Sequence, residues 1–135
     1  MPLTEGLGHP SRAQWQKLVD GNQHSPLIVV NFFCLRETAD NAIVDESLSG
    51  EEAFSLYAKT SVPKGSEVGG QFLLRGAVEA DFIGEGLGNW HIIAIGHYPK
   101  RSNFMELLID SDYQKAFKYR QAAVESQRVF FVDAM

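Results

Sequence analysis

The sequence predicts an α+β fold, a ferredoxin-like β-α-β-β-α-β sandwich with one extra helix in front, its four-stranded antiparallel sheet carrying helices on one face only. Two observations predict it. The last third passes without a gap from an alternating apolar strand, WHIIAIGHY, through Pro99 and two short amphipathic helices to a closing strand, RVFFV. Ahead of it, one apolar run, PLIVVNFFCL, and one helix precede a long segment of period two, GGQFLLRGAVEADFIG. A sheet with helices on one side leaves its other face to be covered. The same face of a second chain is the simplest cover, so a homodimer is expected.

The elements follow in order. Ser11 can cap a short helix over RAQWQKLVD that Gly21 ends, with Trp15, Leu18 and Val19 on one face. Residues 1–25 thus read as an extension with one helix, and 26–135 as the main domain. From Pro26 to Leu35 the β-branched and aromatic residues give a central strand, in which Asn31 is the only polar member. Residues 36–49 are polar and aperiodic, a loop. Ser49 or Gly50 opens a helix whose first turn holds Glu51 and Glu52, whose buried stripe is Phe54, Tyr57 and Ala58, and which Pro63 and Gly65 end.

In the next strand Phe72, Leu74, Val78, Ala80 and Phe82 share one parity and Gln71, Arg75, Glu79 and Asp81 the other, with Gly76 the candidate bulge. GEGLGN turns it into an antiparallel partner that Pro99 stops. Ser102 is the expected cap of the following helix and Asp112 of the one after, which carries Tyr113, Ala116, Phe117 and Val124 on one stripe. Val129–Val132 is the last strand.

A chain of 135 residues, 44% hydrophobic and 21% charged, has the composition of one ordinary globular domain. No apolar run approaches the roughly 20 residues that span a bilayer, so no membrane partner is expected. MPLTEGLGHP has neither a basic start nor an apolar stretch, which gives a cytoplasmic expectation. The single Cys34 lies in an apolar run, where burial blunts a thiol. A net charge of -5 without a cluster of Lys and Arg argues against nucleic acid.

The strings VVNFFCLR, SGEEAFSLYAK, GGQFLLRGAVEADFIG and, above all, YPKRSNF and SDYQKAFKYRQAAVES make residues 26–132 similar to a family of domains of unknown function in the dimeric α/β-barrel superfamily. The resemblance implies a homodimer in which two sheets close into a barrel. It implies no activity; relatives in that superfamily include cofactor-independent monooxygenases, muconolactone isomerases, polyketide cyclases and haem-dependent enzymes.

Arg120 is the sharpest anomaly, because it falls on the apolar stripe of Tyr113, Phe117 and Val124. A cation there must be paired or line a polar cavity. The structural reading is an ion pair with Asp81, Glu79 or Asp112, or a stem that snorkels to water; the functional alternative is an anchor for a ligand carboxylate, which the guanidinium fork suits. Arg75 could bind an acid group from the polar parity of the long strand, with Asp81 or Glu79 as base, or these residues could form salt bridges between subunits. His97 and Tyr98 end a strand, where side chains reach pocket mouths, and His97 is the natural proton carrier near neutral pH. Asn31 either pins a neighbouring loop or offers its amide to a ligand. Tyr57, if buried, needs a partner for its hydroxyl.

His91 and His97 are separated by about 20 Å of strand, and His9 and His24 lack ligand partners in sequence, so no metal is expected. GEGLGN fails as a dinucleotide fingerprint because a strand follows it, and no other cofactor motif occurs, so no cofactor is expected. Three readings remain: a small cofactor-independent enzyme acting on a modest apolar or acidic molecule, with His97 and Asp81 catalytic and Asn31, Arg75, Tyr98 and Arg120 binding; a binding protein for such a molecule; and a structural dimer with a closed polar interface.

Overall fold

The computed structural model describes residues 8–85 and 90–134. Helix α1 (Arg12–Asp20) begins at a reciprocal cap: the Ser11 hydroxyl accepts from Gln14 N at 3.2 Å, and the Gln14 side chain accepts from Ser11 N at 2.8 Å. It buries Trp15 and Leu18 against Leu27 and Val29 of strand β1 (Leu27–Leu35). Val19, expected on the same face, is 40% exposed, because it stands one residue round the helix from Leu18.

Helix α2 (Gly50–Glu67) has the same kind of cap, between Ser49 and Glu52. Glycine is required at its first position: a Cβ on Gly50 would stand 1.8 Å from the Arg36 carbonyl oxygen. The expected stop at Pro63 and Gly65 is not observed. The helix runs through Pro63. A proline removes one hydrogen bond, but the turn beyond it is held by Val68 N donating to Lys64 O and Gly70 N to Gly65 O.

Strand β2 (Gln71–Ala77) is shorter than the period-two pattern suggests. Its bulge is also elsewhere: the register shifts between Phe72, opposite Gly96, and Leu74, opposite Ile95, and not at Gly76. The extra residue, Leu73, inverts the parity of the residues beyond it, so Arg75 shares a face with Phe72 instead of opposing it. Its guanidinium carbon lies 5.4 Å from the Phe72 ring centroid. Beyond Ala77 one more bond forms, from Val78 N to His91 O, and the strand then stops, leaving Phe82 and Ile83 97% and 87% exposed. An edge strand that no layer covers on either side has nothing to hold it extended. Of the expected turn GEGLGN, residues 86–89 lie outside the described residues.

Strand β3 (Ile92–Tyr98) is followed by helix α3 (Arg101–Ile109), helix α4 (Ser111–Ala123) and strand β4 (Val124–Val132). Ser102 and Asp112 are not the caps. Lys100 occupies the first cap position, where the Asn103 side chain accepts from its N–H, and Asp110 caps α4 by accepting from Tyr113 N at 2.9 Å. Val124, assigned from its spacing to the apolar stripe of α4, instead opens β4 opposite Leu35, so the last strand starts five residues early. Its branched side chain suits a strand, and the pairing with β1 decides it.

The sheet order is β2-β3-β1-β4, with every neighbouring pair antiparallel. The sheet is open: among the described residues the outer edges of β2 and β4 are unpaired, and one chain does not close a barrel. The core lies between the sheet and the helices, in three clusters centred on Phe33, Leu35 and Ala53; on Trp15, Leu27 and Val29; and on Tyr57, Leu107, Tyr113 and Phe117. Cross-strand partners share a face, so Ile28, Val30, Phe32, Ile93, Ile95 and Phe130 fall together on the side away from the helices. That uncovered face is apolar, not the polar one that the parity of Arg75, Glu79 and Asp81 suggested. Among the described residues no helix is long and apolar enough to cross a membrane.

Candidate functional site around a buried arginine

Arg120 is held near the last turn of α4 with its guanidinium turned toward the sheet, and it is only 8% exposed. Its guanidinium carbon stands 4.7 Å from the ring centroid of Phe33 on β1, 5.3 Å from Phe117 on α4 and 5.5 Å from Tyr57 on α2. Three aromatic faces from three elements thus surround one cation. Nε and Nη2 donate to Gln127 Oε1 of β4 at 3.1 and 2.6 Å, and Nη1 donates to the Tyr57 hydroxyl at 3.1 Å.

The expected ion pairs with Asp81, Glu79 and Asp112 are absent. Among the described residues the salt bridges join Lys64 to Glu67, Asp110 and Asp112, and none reaches Arg120. A guanidinium has five N–H donors; the three bonds above use three of them, and the Tyr113 hydroxyl also acts on the guanidinium as a hydrogen-bond partner. Burial works against the charge, but the Tyr57 and Tyr113 oxygens more than offset it, so Arg120 holds its proton more firmly than a free arginine.

The tyrosines extend the cluster. The Tyr57 and Tyr113 hydroxyls are hydrogen-bonded at 2.8 Å, and the Tyr57 oxygen also accepts from Arg120. Burial, then the neighbouring Tyr57 oxygen, raises Tyr113 well above the ordinary tyrosine range, while burial pushes Tyr98 up to about 12. Both remain neutral hydroxyls in the physiological range. At the outer side His9, just before α1, stacks on Phe117 with centroids 4.5 Å apart and planes 25° apart.

Three of the six residues singled out in sequence meet here. Arg120 is the centre. Tyr98 lies on the helix-side face of β3 in contact with the Tyr57 and Tyr113 cluster, its ring 5.1 Å from Phe104. Asn31 is on the same face of β1, two residues and so about 7 Å from Phe33, with Nδ2 donating to Ala94 O at 3.1 Å. The other three are elsewhere. His97 projects from the opposite, uncovered face, opposite Ile28 and Gln71. Arg75 sits on the exposed edge strand. Asp81 lies past the far end of the β2–β3 pair, about 17 Å of strand from His97, so one chain does not bring these two together as acid and base.

Gln127, Tyr113 and His9 were not legible as site residues. Tyr113 read as apolar stripe, and His9 and Gln127 reach Arg120 only through tertiary packing. His91, by contrast, is structural: its Nδ1 accepts from Leu35 N at 2.8 Å. Cys34 is buried, which raises its thiol, as its apolar run suggested.

Two open hollows mark the surface. One of about 680 Å3 is lined by Leu35, Leu48, Glu51, Glu52, Phe54 and Ile92 among others, and one of about 550 Å3 lies between α2 and α4. Neither is lined by any of the six candidates. Arg120 itself is buried against Phe33, Tyr57, Phe117 and Gln127.

A sequence profile for a domain of unknown function, DUF1330, matches residues 41–135. The chain belongs to the DUF1330 family. No curated protein matches it. The solved structures place this DUF1330 chain beside a protein of unknown function from Rhodopseudomonas palustris, with 27% identity and a TM-score of 0.86 over 97% of this chain and 98% of that one. A dimeric protein of unknown function with a ferredoxin-like fold from Bacteroides fragilis is similar at 10% identity and a TM-score of 0.52, over 84% of this chain and 100% of that one. SnoaB, a cofactor-independent oxygenase from Streptomyces nogalater, is similar at 13% identity and a TM-score of 0.55, over 82% and 94%. The last two likenesses are of fold alone, and they bear out the ferredoxin-like sandwich expected from the order of elements.

Proposed function

We propose that this DUF1330 chain is a homodimeric protein that binds a small acidic molecule between its sheet and its helices, with Arg120 as the anchor. One observation carries the reading: a buried guanidinium that, among the described residues, has no carboxylate in reach and is walled by aromatic rings. An uncompensated buried cation is costly, and a ligand acid group would supply the missing charge. Asn31 and Tyr98, on the same face, would border the ligand. The homodimer rests on the apolar sheet face that the helices leave uncovered and on the dimeric relative from Bacteroides fragilis. Two such faces packed together would give the barrel.

A cofactor-independent enzyme is the second reading, favoured by the fold that the chain shares with SnoaB. It would find its hydroxyl donors in Tyr113 and Tyr98, since His97 lies on the opposite face of the sheet and Asp81 beyond the end of β2. Native mass spectrometry of freshly purified protein tests both parts at once. A dimer carrying an acidic molecule, lost in Arg120→Met, is the expected result. A monomer overturns the dimer, and a retained ligand that is unaffected by Arg120→Met overturns the anchor.

A further inference from the structure

His9 stands where a ligand would have to be. Its ring lies flat on Phe117, one of the three rings around Arg120, and Gly8 before it has φ +77 and lies so close to Gln127 that a Cβ there would stand 3.0 Å from Nε2. Residues 8–10 therefore close the outer side of the cluster and touch the side chain that holds the Arg120 fork.

We propose that His9 occupies the ring position of the ligand site, so that the ligand is a small planar acid that displaces residues 8–10 as it binds. The proposal rests on the anionic-ligand reading above and adds two things to it, the shape of the ligand and the group that competes with it. The ring of the acid takes the stack on Phe117. Its carboxylate meets the Arg120 guanidinium, which carries donors only, beside the Tyr113 hydroxyl; that suits an acceptor-only group such as a carboxylate and disfavours an amine. A protein whose open form is a minority binds more weakly by the open fraction, so removing the competing ring strengthens binding without any new contact.

The test is titration calorimetry with benzoate as the planar probe and cyclohexanecarboxylate as the non-planar one, on the full chain. His9→Ala is expected to tighten benzoate binding about tenfold, which corresponds to an open fraction near one in ten in the unsubstituted protein. Cyclohexanecarboxylate is expected to gain much less. Adding Tyr113→Phe or Arg120→Met to His9→Ala is expected to weaken benzoate again, Tyr113→Phe serving where the arginine variant does not fold. Equal benzoate affinity with and without His9, still dependent on Arg120, overturns the role of His9 and leaves the anionic-ligand reading standing. No benzoate binding to His9→Ala overturns this proposal, and the anionic-ligand reading then stands or falls on its own mass-spectrometric test.

Discussion

Arg120 is a costly residue to bury without a counter-ion, and side chains of similar volume that carry no charge commonly replace such groups at no loss. Arg120→Met is therefore expected to keep the fold, with unfolding free energy within about 1–2 kcal/mol of the unsubstituted protein in urea titration, because relief of the buried charge offsets the donors lost to Gln127 Oε1 and the Tyr57 hydroxyl, while anionic-ligand binding disappears. A large loss of stability would show that the arginine is there to hold the core together. Tyr57→Phe makes the opposite prediction. It takes the oxygen from both Arg120 Nη1 and the Tyr113 hydroxyl, two buried groups, and is expected to cost about 1–3 kcal/mol in the same titration.

His9 adds a dependence on pH. Burial first, and the Arg120 charge second, lower its pKa below the ordinary histidine value of 6.5. The docked ring favours the neutral form, so docking is at full strength above about pH 6.5 and weakens as pH falls toward the lowered value. The chemical shifts of His9 and Phe117, followed by NMR between pH 7.5 and 5, are expected to move together toward those of an undocked strap. A Phe117 signal that stays put while His9 titrates would contradict this.

At the level of elements, the caps separate what spacing suggests from what the backbone uses. Ser49 accepts from Glu52 N and so removes an orphan donor of α2; Ser49→Ala is expected to cost about 1 kcal/mol. Ser102, which looked like the cap of α3, lies inside that helix, and Ser102→Ala is expected to leave the denaturation midpoint unchanged or slightly raised. A reversed order of the two would mean that the boundary of α3 is misplaced. The bulge at Leu73 shows the same limit. Alternation along GGQFLLRGAVEADFIG is legible, but a single extra residue, set by pairing with β3, reverses the parity of Arg75. A pattern of period two does not reveal where its phase slips.

For the whole molecule, the decisive feature is a sheet with one face on the helices and one apolar face uncovered. Large contiguous apolar patches are interaction surfaces in soluble proteins. If the proposed homodimer forms through that face, Ile95→Glu at its centre is expected to give a monomer in size-exclusion chromatography with light scattering, leaving the helical circular dichroism intact. An unchanged dimer would place the contact elsewhere, for example at Phe82 and Ile83, whose exposure is the highest among the apolar residues described.

The sequence by itself determined the class of the protein: the order of elements, the central position of the β1 strand, the antiparallel β2–β3 pair, the anomaly of Arg120 and the need of Tyr57 for a partner. These are local properties, fixed by periodicity, by caps and by the cost of a charge on an apolar stripe. Tertiary structure alone decided that Arg120 meets Gln127 and the tyrosines and, among the described residues, no carboxylate, that His97 stands on the other face and Asp81 beyond the end of β2, and that His9 lies against Phe117. Those placements depend on how strands pair and where a register slips: Arg120 and Gln127 are only seven positions apart but belong to a helix and a strand, and Tyr57 and His9 come from far along the chain.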